Sequence, residues 1–118
     1  MDIEALRQYC LAKKAVTEGL PFGDTVLVFK VAGKMFALMP LDTEGSRVSL
    51  KCDPERAIEL REQHSEHIAA AFHMNKKHWN TVVCDEGLGD RLVQELIDHS
   101  YDLVVKSLPK AGQAALNS

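Results

Sequence analysis

Val26-Leu27-Val28-Phe29-Lys30-Val31-Ala32-Gly33-Lys34-Met35-Phe36-Ala37-Leu38-Met39 decides the fold. Val26–Val31 is rich in β-branched and aromatic residues, which fit a pleated, half-buried surface. Met35–Met39 is similar. Ala32-Gly33-Lys34 separates the two runs, with Gly33 free to take a positive φ, so the stretch predicts a β-hairpin. Pro40 ends the second strand, and Asp42-Thr43-Glu44-Gly45 is a polar loop. Val48, Leu50 and Cys52 then alternate with Arg47, Ser49 and Lys51, the pattern of a strand with one buried and one wet face. Three consecutive antiparallel strands form a meander.

Helices are expected on both sides of it. Residues 2–14 read as a helix with Asp2 as N-cap, Glu4 at the positive end of the dipole, and Lys13 and Lys14 at the negative end. Ile3, Leu6, Cys10 and Leu11 form its apolar stripe. Gly19-Leu20-Pro21-Phe22-Gly23-Asp24 is a loop. Asp53-Pro54-Glu55 starts a second helix, running to Gln63 or His64. Residues 65–70 carry no clear pattern. A short strand at 72–74, a turn at Asn75-Lys76-Lys77 and a strand over Trp79–Cys84 follow. Leu92, Val93, Leu96, Ile97, Tyr101, Val104, Val105 and Leu108 repeat at helical spacing up to Pro109, the clearest amphipathic helix of the chain. The expectation is an α/β (α+β) fold in the order α-βββ-α-ββ-α. A single antiparallel sheet has helices packed on one face, and its other face is partly open to water. One domain spans 1–109, and 110–118 is a frayed tail.

The bulk numbers suit such a domain. The chain has 118 residues, 46% hydrophobic and 26% charged, which fits one core of average composition. No apolar run is long enough to cross a bilayer. The start, Met1-Asp2-Ile3-Glu4, lacks the pattern of a secretory signal, so a cytoplasmic protein without membrane contact is expected. Cys10, Cys52 and Cys84 are scattered and form no CxxC pair, as expected of three buried thiols rather than a disulfide framework or zinc site. The net charge of -3 weighs against nucleic-acid binding unless the basic residues gather on one face.

No catalytic signature is present. His64 and His67, and His73 and His78, lack carboxylates at a recognisable ligand spacing, so no metal and no cofactor are expected. There is no G-x-S-x-G, and Gly87-Leu88-Gly89 lacks the spacing and lysine of a phosphate loop. Glu55, Glu59 and Glu62 interleave with Arg56 and Arg61 as on a solvated helix face. What remains is basic. Arg47 and Lys51 share one side of their strand, Lys30 and Lys34 flank the first hairpin, and Lys76 and Lys77 sit at the tip of the second. Lysines on turns ordinarily serve solubility and protect edges; they can also contact phosphates. Trp79, opening an apolar strand, is expected to be core and to hold the Lys76-Lys77 turn in place.

The chain resembles the MmcQ/YjbR family of small bacterial proteins. The matching residues are Pro21-Phe22-Gly23, Phe29-Lys30-Val31, Gly33-Lys34-Met35-Phe36-Ala37 and Ser49-Leu50-Lys51-Cys52 before Asp53-Pro54. The sharpest are His73-Met74-Asn75-Lys76-Lys77-His78-Trp79 and Ser100-Tyr101-Asp102-Leu103-Val104. The resemblance implies a CyaY-like fold and a "double wing" that binds double-stranded DNA. Lys34 would lie at one wing, Lys76 and Lys77 at the other, with Arg47 and Lys51 lining the sheet between. It does not bring iron binding with it, because the first helix offers only Asp2 and Glu4. Fold does not settle function. The rival reading is a module binding protein or a small ligand, with no nucleic-acid role and a pocket lined by Phe22, Trp79 and Tyr101. An enzyme, with Cys52, His73, His78 and Tyr101 meeting in a cleft, is the third.

Overall fold

The computed structural model describes residues 1–71 and 74–117. Ten elements follow in chain order. They are α1 (Ile3–Leu11), β1 (Val16–Gly19), β2 (Val26–Val31), β3 (Lys34–Pro40), β4 (Arg47–Lys51), α2 (Pro54–Gln63), β5 (Ile68–Ala70), β6 (Trp79–Val83), α3 (Asp90–Lys106) and α4 (Lys110–Asn117). The strands form one antiparallel sheet in the order β1-β2-β3-β4-β6-β5. Phe29, Val31, Met39, Val48, Leu50 and Val82 point to one face. There they bury against Leu6 and Cys10 of α1, Ala57 and Leu60 of α2, and Val93, Leu96, Ile97 and Val104 of α3. The expected single sheet with helices on one face is thus the fold.

Local chemistry accounts for the helix starts. The Asp2 carboxylate accepts from the Ala5 N–H at 2.8 Å and caps α1. Asp53 caps α2 by accepting from the Arg56 N–H, with Pro54 at the first helical position. The Asp53 N–H in turn donates to His99 Nε2 of α3 at 3.2 Å, which requires that nitrogen to be unprotonated. Burial, and then the nearby Arg56 cation, hold the His99 pKa below its ordinary 6.5. The unfolded chain therefore binds the proton more readily. The contribution is fully present above the unfolded pKa and is lost as pH falls from 6.5 through the lowered folded value. Urea midpoints taken at about pH 7.5 and about pH 5.5 should fall on acidification, and His99→Gln, which still offers an acceptor, should flatten that fall. An unchanged pH slope in the variant would remove His99 from the account.

Three elements differ from the sequence expectation. β1 lies where a helix end and loop were expected. The chain reverses at Ala15, with φ at 62°, and pairs Val16 with Val31; as a four-residue edge strand with polar Thr17 and Glu18, it shows no apolar alternation. The partner of β6 is β5, in the stretch without pattern. Of the strand expected at 72–74, Phe72 and His73 lie outside the described residues and Met74 is not in a strand. The tail expected to fray forms α4. Gln113 Nε2 donates to the carbonyls of Leu108 (2.8 Å) and Lys106 (3.3 Å), and Leu116 packs against the main core.

β3 carries a feature that no period reveals. Phe29 pairs with Ala37, but Lys30 pairs with Met35, so Phe36 is an extra residue, a β-bulge. Phe36 and Ala37 both end on the helix side and are fully buried. The bulge interrupts the β3–β4 ladder, which pairs only Ala37 with Leu50 and Leu38 with Ser49. Ser100 of α3 fills the gap: its hydroxyl donates to the Phe36 carbonyl (2.6 Å) and accepts from the Lys51 N–H (2.9 Å). Next to it, the Tyr101 ring meets Phe36 edge-on at 5.4 Å, and its hydroxyl donates to the Lys14 carbonyl at 2.7 Å.

Candidate functional site

Among the described residues, no helix packs on the opposite face of the sheet. Alternation from the register places Thr17 and Gly19 of β1, Val26, Val28 and Lys30 of β2, and Met35, Leu38 and Pro40 of β3 there. Arg47, Ser49 and Lys51 of β4, Trp79, Thr81 and Val83 of β6, and Ala69 of β5 complete the face. No Asp or Glu stands at any of these positions, in a chain with 17 acidic and 14 basic residues. The three ionisable groups, Lys30, Arg47 and Lys51, are all cations. The carboxylates sit elsewhere: Glu4 on α1, Glu55, Glu59 and Glu62 on α2, and Asp90, Glu95, Asp98 and Asp102 on α3. Glu18 of β1 points to the helix side, where Arg7 of α1 grips it at 2.8–3.1 Å. The strand positions of the open face are thus cationic, while the carboxylates and the other basic residues lie on the helices, the loops and the helix side of the sheet.

Between the cations the face is apolar. Trp79 is only 8% exposed and clusters with Val28, Leu38 and Ala71, with Val26, Met35 and Met74 half-buried around them. The ring is buried as expected, though on the face away from the helices. Ser49 and Thr81 share a hydroxyl hydrogen bond of 3.0 Å beside it.

Register also sorts the predicted residues. Lys51 lies opposite Trp79, and Lys30 opposite Met35, at the same end of the sheet as the connection that carries Lys76 and Lys77. Arg47 lies opposite Val83 at the other end, roughly 13 Å from Lys51 along the strand. Lys34 is separated from both. The Ala32-Gly33 turn, with φ of 49° and 83°, pairs Lys34 with the buried Val31, and therefore turns Lys34 towards the helix side. Lys30, which flanks the same hairpin, is the residue that shares the open face and this end of the sheet with Lys51, with β3 between them.

The Lys76-Lys77 turn is built by two side chains. Asn75 Oδ1 accepts from the Lys77 N–H, and the Asn75 carbonyl accepts from the His78 and Trp79 N–H groups, each at 3.0 Å. From below, Arg61 of α2 donates to the Lys76 carbonyl (3.2 Å) and to Asn80 Oδ1 (2.9 Å). Asn80 is 2% exposed and donates onward to the Ala57 carbonyl at 3.3 Å. Arg61 therefore leaves the solvated face on which the sequence places it and anchors the turn to α2. Arg56 does stay at the surface, paired with Glu95.

Among the described residues, Phe22, Trp79 and Tyr101 do not converge. Trp79 is on the open face, Tyr101 on the helix side, and Phe22 on the exposed β1–β2 loop, so the three share no pocket. Cys52 lies on the helix side, and its N–H donates to the His78 carbonyl at 2.7 Å; His73 lies outside the described residues. Burial pushes the Cys10 thiol up to about 12 and Cys84 to about 11, and raises Cys52, the reverse of a poised nucleophile. His67 pairs with Asp85 at 2.7 Å, and the Gly87 N–H and then His67 lower the Asp85 pKa. Gly87 makes room for this pair, since a Cβ there would meet His67 Nε2 at 2.5 Å. Among the described residues no group of three or more His, Cys, Asp or Glu could hold a metal ion. Among the described residues no helix is long and apolar enough to cross a membrane.

The fold defines a class: small α+β proteins with helices on one face of a six-stranded antiparallel sheet. The chain belongs to the YjbR family, whose model matches residues 11–103. It is 37% identical to YjbR of Escherichia coli K12 over 110 residues, covering 93% of this chain and 92% of that one. It is 39% identical to YbdF of Escherichia coli O157:H7 over 93 residues, covering 79% and 75%. The crystal structure of Deinococcus radiodurans protein DR2400, a DUF419 domain, superposes with a TM-score of 0.93 at 40% identity. The match covers 98% of this chain and 88% of that one. A Pseudomonas syringae protein gives 0.75 at 27% identity, covering 87% and 98%.

Proposed function

We propose that the open face of the sheet is a non-catalytic surface for a polyanion, with DNA as the partner. The observation that carries this is the absence of any carboxylate at its strand positions, where Lys30, Arg47 and Lys51 are the only ionisable groups. Lys76 and Lys77, both exposed, extend the cationic end beyond the sheet. Affinity would come from phosphate neutralisation and fall steeply with salt. The three free, buried thiols accord with a reducing, cytoplasmic setting.

The wing reading is amended in one respect. Lys34 faces the helix side and is not needed for contact, so Lys34→Ala, which removes one of the two charges that the double variant removes, serves as a control for charge loss away from the face. Titrating labelled duplex DNA at low and moderate salt, Lys76→Ala plus Lys77→Ala should weaken binding about tenfold and lower the salt slope by about 2. Lys34→Ala should change little. Equal affinity of the double variant and the wild type at low salt would sink the proposal.

A further inference from the structure

We infer that the nucleic acid this face takes is single-stranded, read through unpaired bases as well as phosphates; this rests on the polyanion reading above. The charge-only account leaves the apolar part of the surface without a role. Leu20 and Phe22, on the loop between β1 and β2, are 48% and 63% exposed. Leu20 and Pro21 line a groove of about 390 Å³ with Thr17, Glu18, Val28 and Lys30, the Glu18 carboxylate being held by Arg7, so the loop that carries Phe22 at its next position rims the open face beside a cation. Further along lie the half-buried Val26, Met35 and Met74 around Trp79, and then Lys51.

The alternation of cations with apolar patches selects the form of the partner. A duplex offers phosphates outside and seals its base faces in the stack. Setting Phe22, Leu20 and the Met35 strip against its backbone would leave apolar surface facing charge and water. An open strand offers both chemistries: phosphates for Lys30 and Lys51, and base faces for the apolar side chains of the face and of the loop at its rim. Stacking on an aromatic ring tolerates any base, so affinity without strong sequence preference is expected. Phe22 is the stacking residue. Trp79, at 8% exposure, is already committed to the cluster and serves as floor.

Because Phe22 is exposed, its replacement leaves the core intact. Wild type, Phe22→Ala and Phe22→Trp are titrated with a labelled thymidine oligonucleotide, a duplex of equal length, and long-chain inorganic polyphosphate as a base-free polyanion. The expected result is preference for the single strand over the duplex, a roughly tenfold loss on the single strand alone in Phe22→Ala, and retention in Phe22→Trp. If single strand and duplex bind alike, or Phe22→Ala binds the single strand as wild type does while salt-sensitive binding persists, the inference is overturned and the polyanion reading stands. Absence of binding to all three at low salt overturns both.

Discussion

Ser100→Ala should cost about 2–4 kcal/mol of unfolding free energy, because one hydroxyl satisfies a buried carbonyl and a part-buried N–H at the β3 bulge. The Phe36 carbonyl and the Lys51 N–H cannot pair directly once the bulge interrupts the ladder, and Ser100 Oγ stands between them at 2.6 and 2.9 Å. Ser100 itself is 0% exposed, so water has no ready access to replace it. Alanine leaves a donor and an acceptor stranded in the core, each costing about 1–3 kcal/mol before relaxation. The melting temperature should fall by about 10 °C or more. Ser107→Ala is the control: its hydroxyl bonds the Val104 carbonyl one turn back, at the exposed end of α3. Its loss should stay within about 0.5 kcal/mol. A Ser100→Ala protein as stable as the Ser107→Ala one in urea would show that the bulge does not depend on this bridge.

The same bridge illustrates what the sequence made legible. Ser100-Tyr101 stands out as a motif, yet nothing local gives it a role, because Phe36 and Lys51 lie 64 and 49 residues away. The alternation of Arg47, Ser49 and Lys51 with Val48, Leu50 and Cys52 reads correctly, since each strand face meets a single environment. Met35-Phe36-Ala37-Leu38-Met39 does not: every residue is apolar, so the slip at Phe36 leaves no mark on the pattern. Lys34 reads as one wing because a hairpin tip gives a place and not a side; its pairing with Val31 fixes the side. β1 and β5 are edge strands of four and three residues, too short to show a period of two. Lys30 is visible in the sequence but unranked, as its relation to Lys51 depends on β3 lying between β2 and β4.

Arg61 was hidden for the same reason as Ser100, and its replacement tests whether the Lys76-Lys77 turn must be held to function. On α2 the glutamates around it suggest helical ion pairs, whereas its acceptors are Asn80 Oδ1 and the Lys76 carbonyl. Arg61→Met keeps the apolar stem but strands the Asn80 carbonyl oxygen in a nearly fully buried side chain, at a cost of about 1–3 kcal/mol. Arg61→Lys keeps the charge but offers a point donor in place of the planar fork, so it cannot serve both acceptors as well. If Arg61 positions the turn, both variants should lower DNA affinity about five- to tenfold at low salt, with the salt slope within about 1 of wild type. Both should also speed amide exchange at His78 and Trp79, whose N–H groups bond Asn75. If Arg61 instead acts only as a positive charge, Arg61→Lys should bind DNA as wild type does and leave those amides protected. That separates a residue that shapes the cationic turn from one that merely adds to its charge.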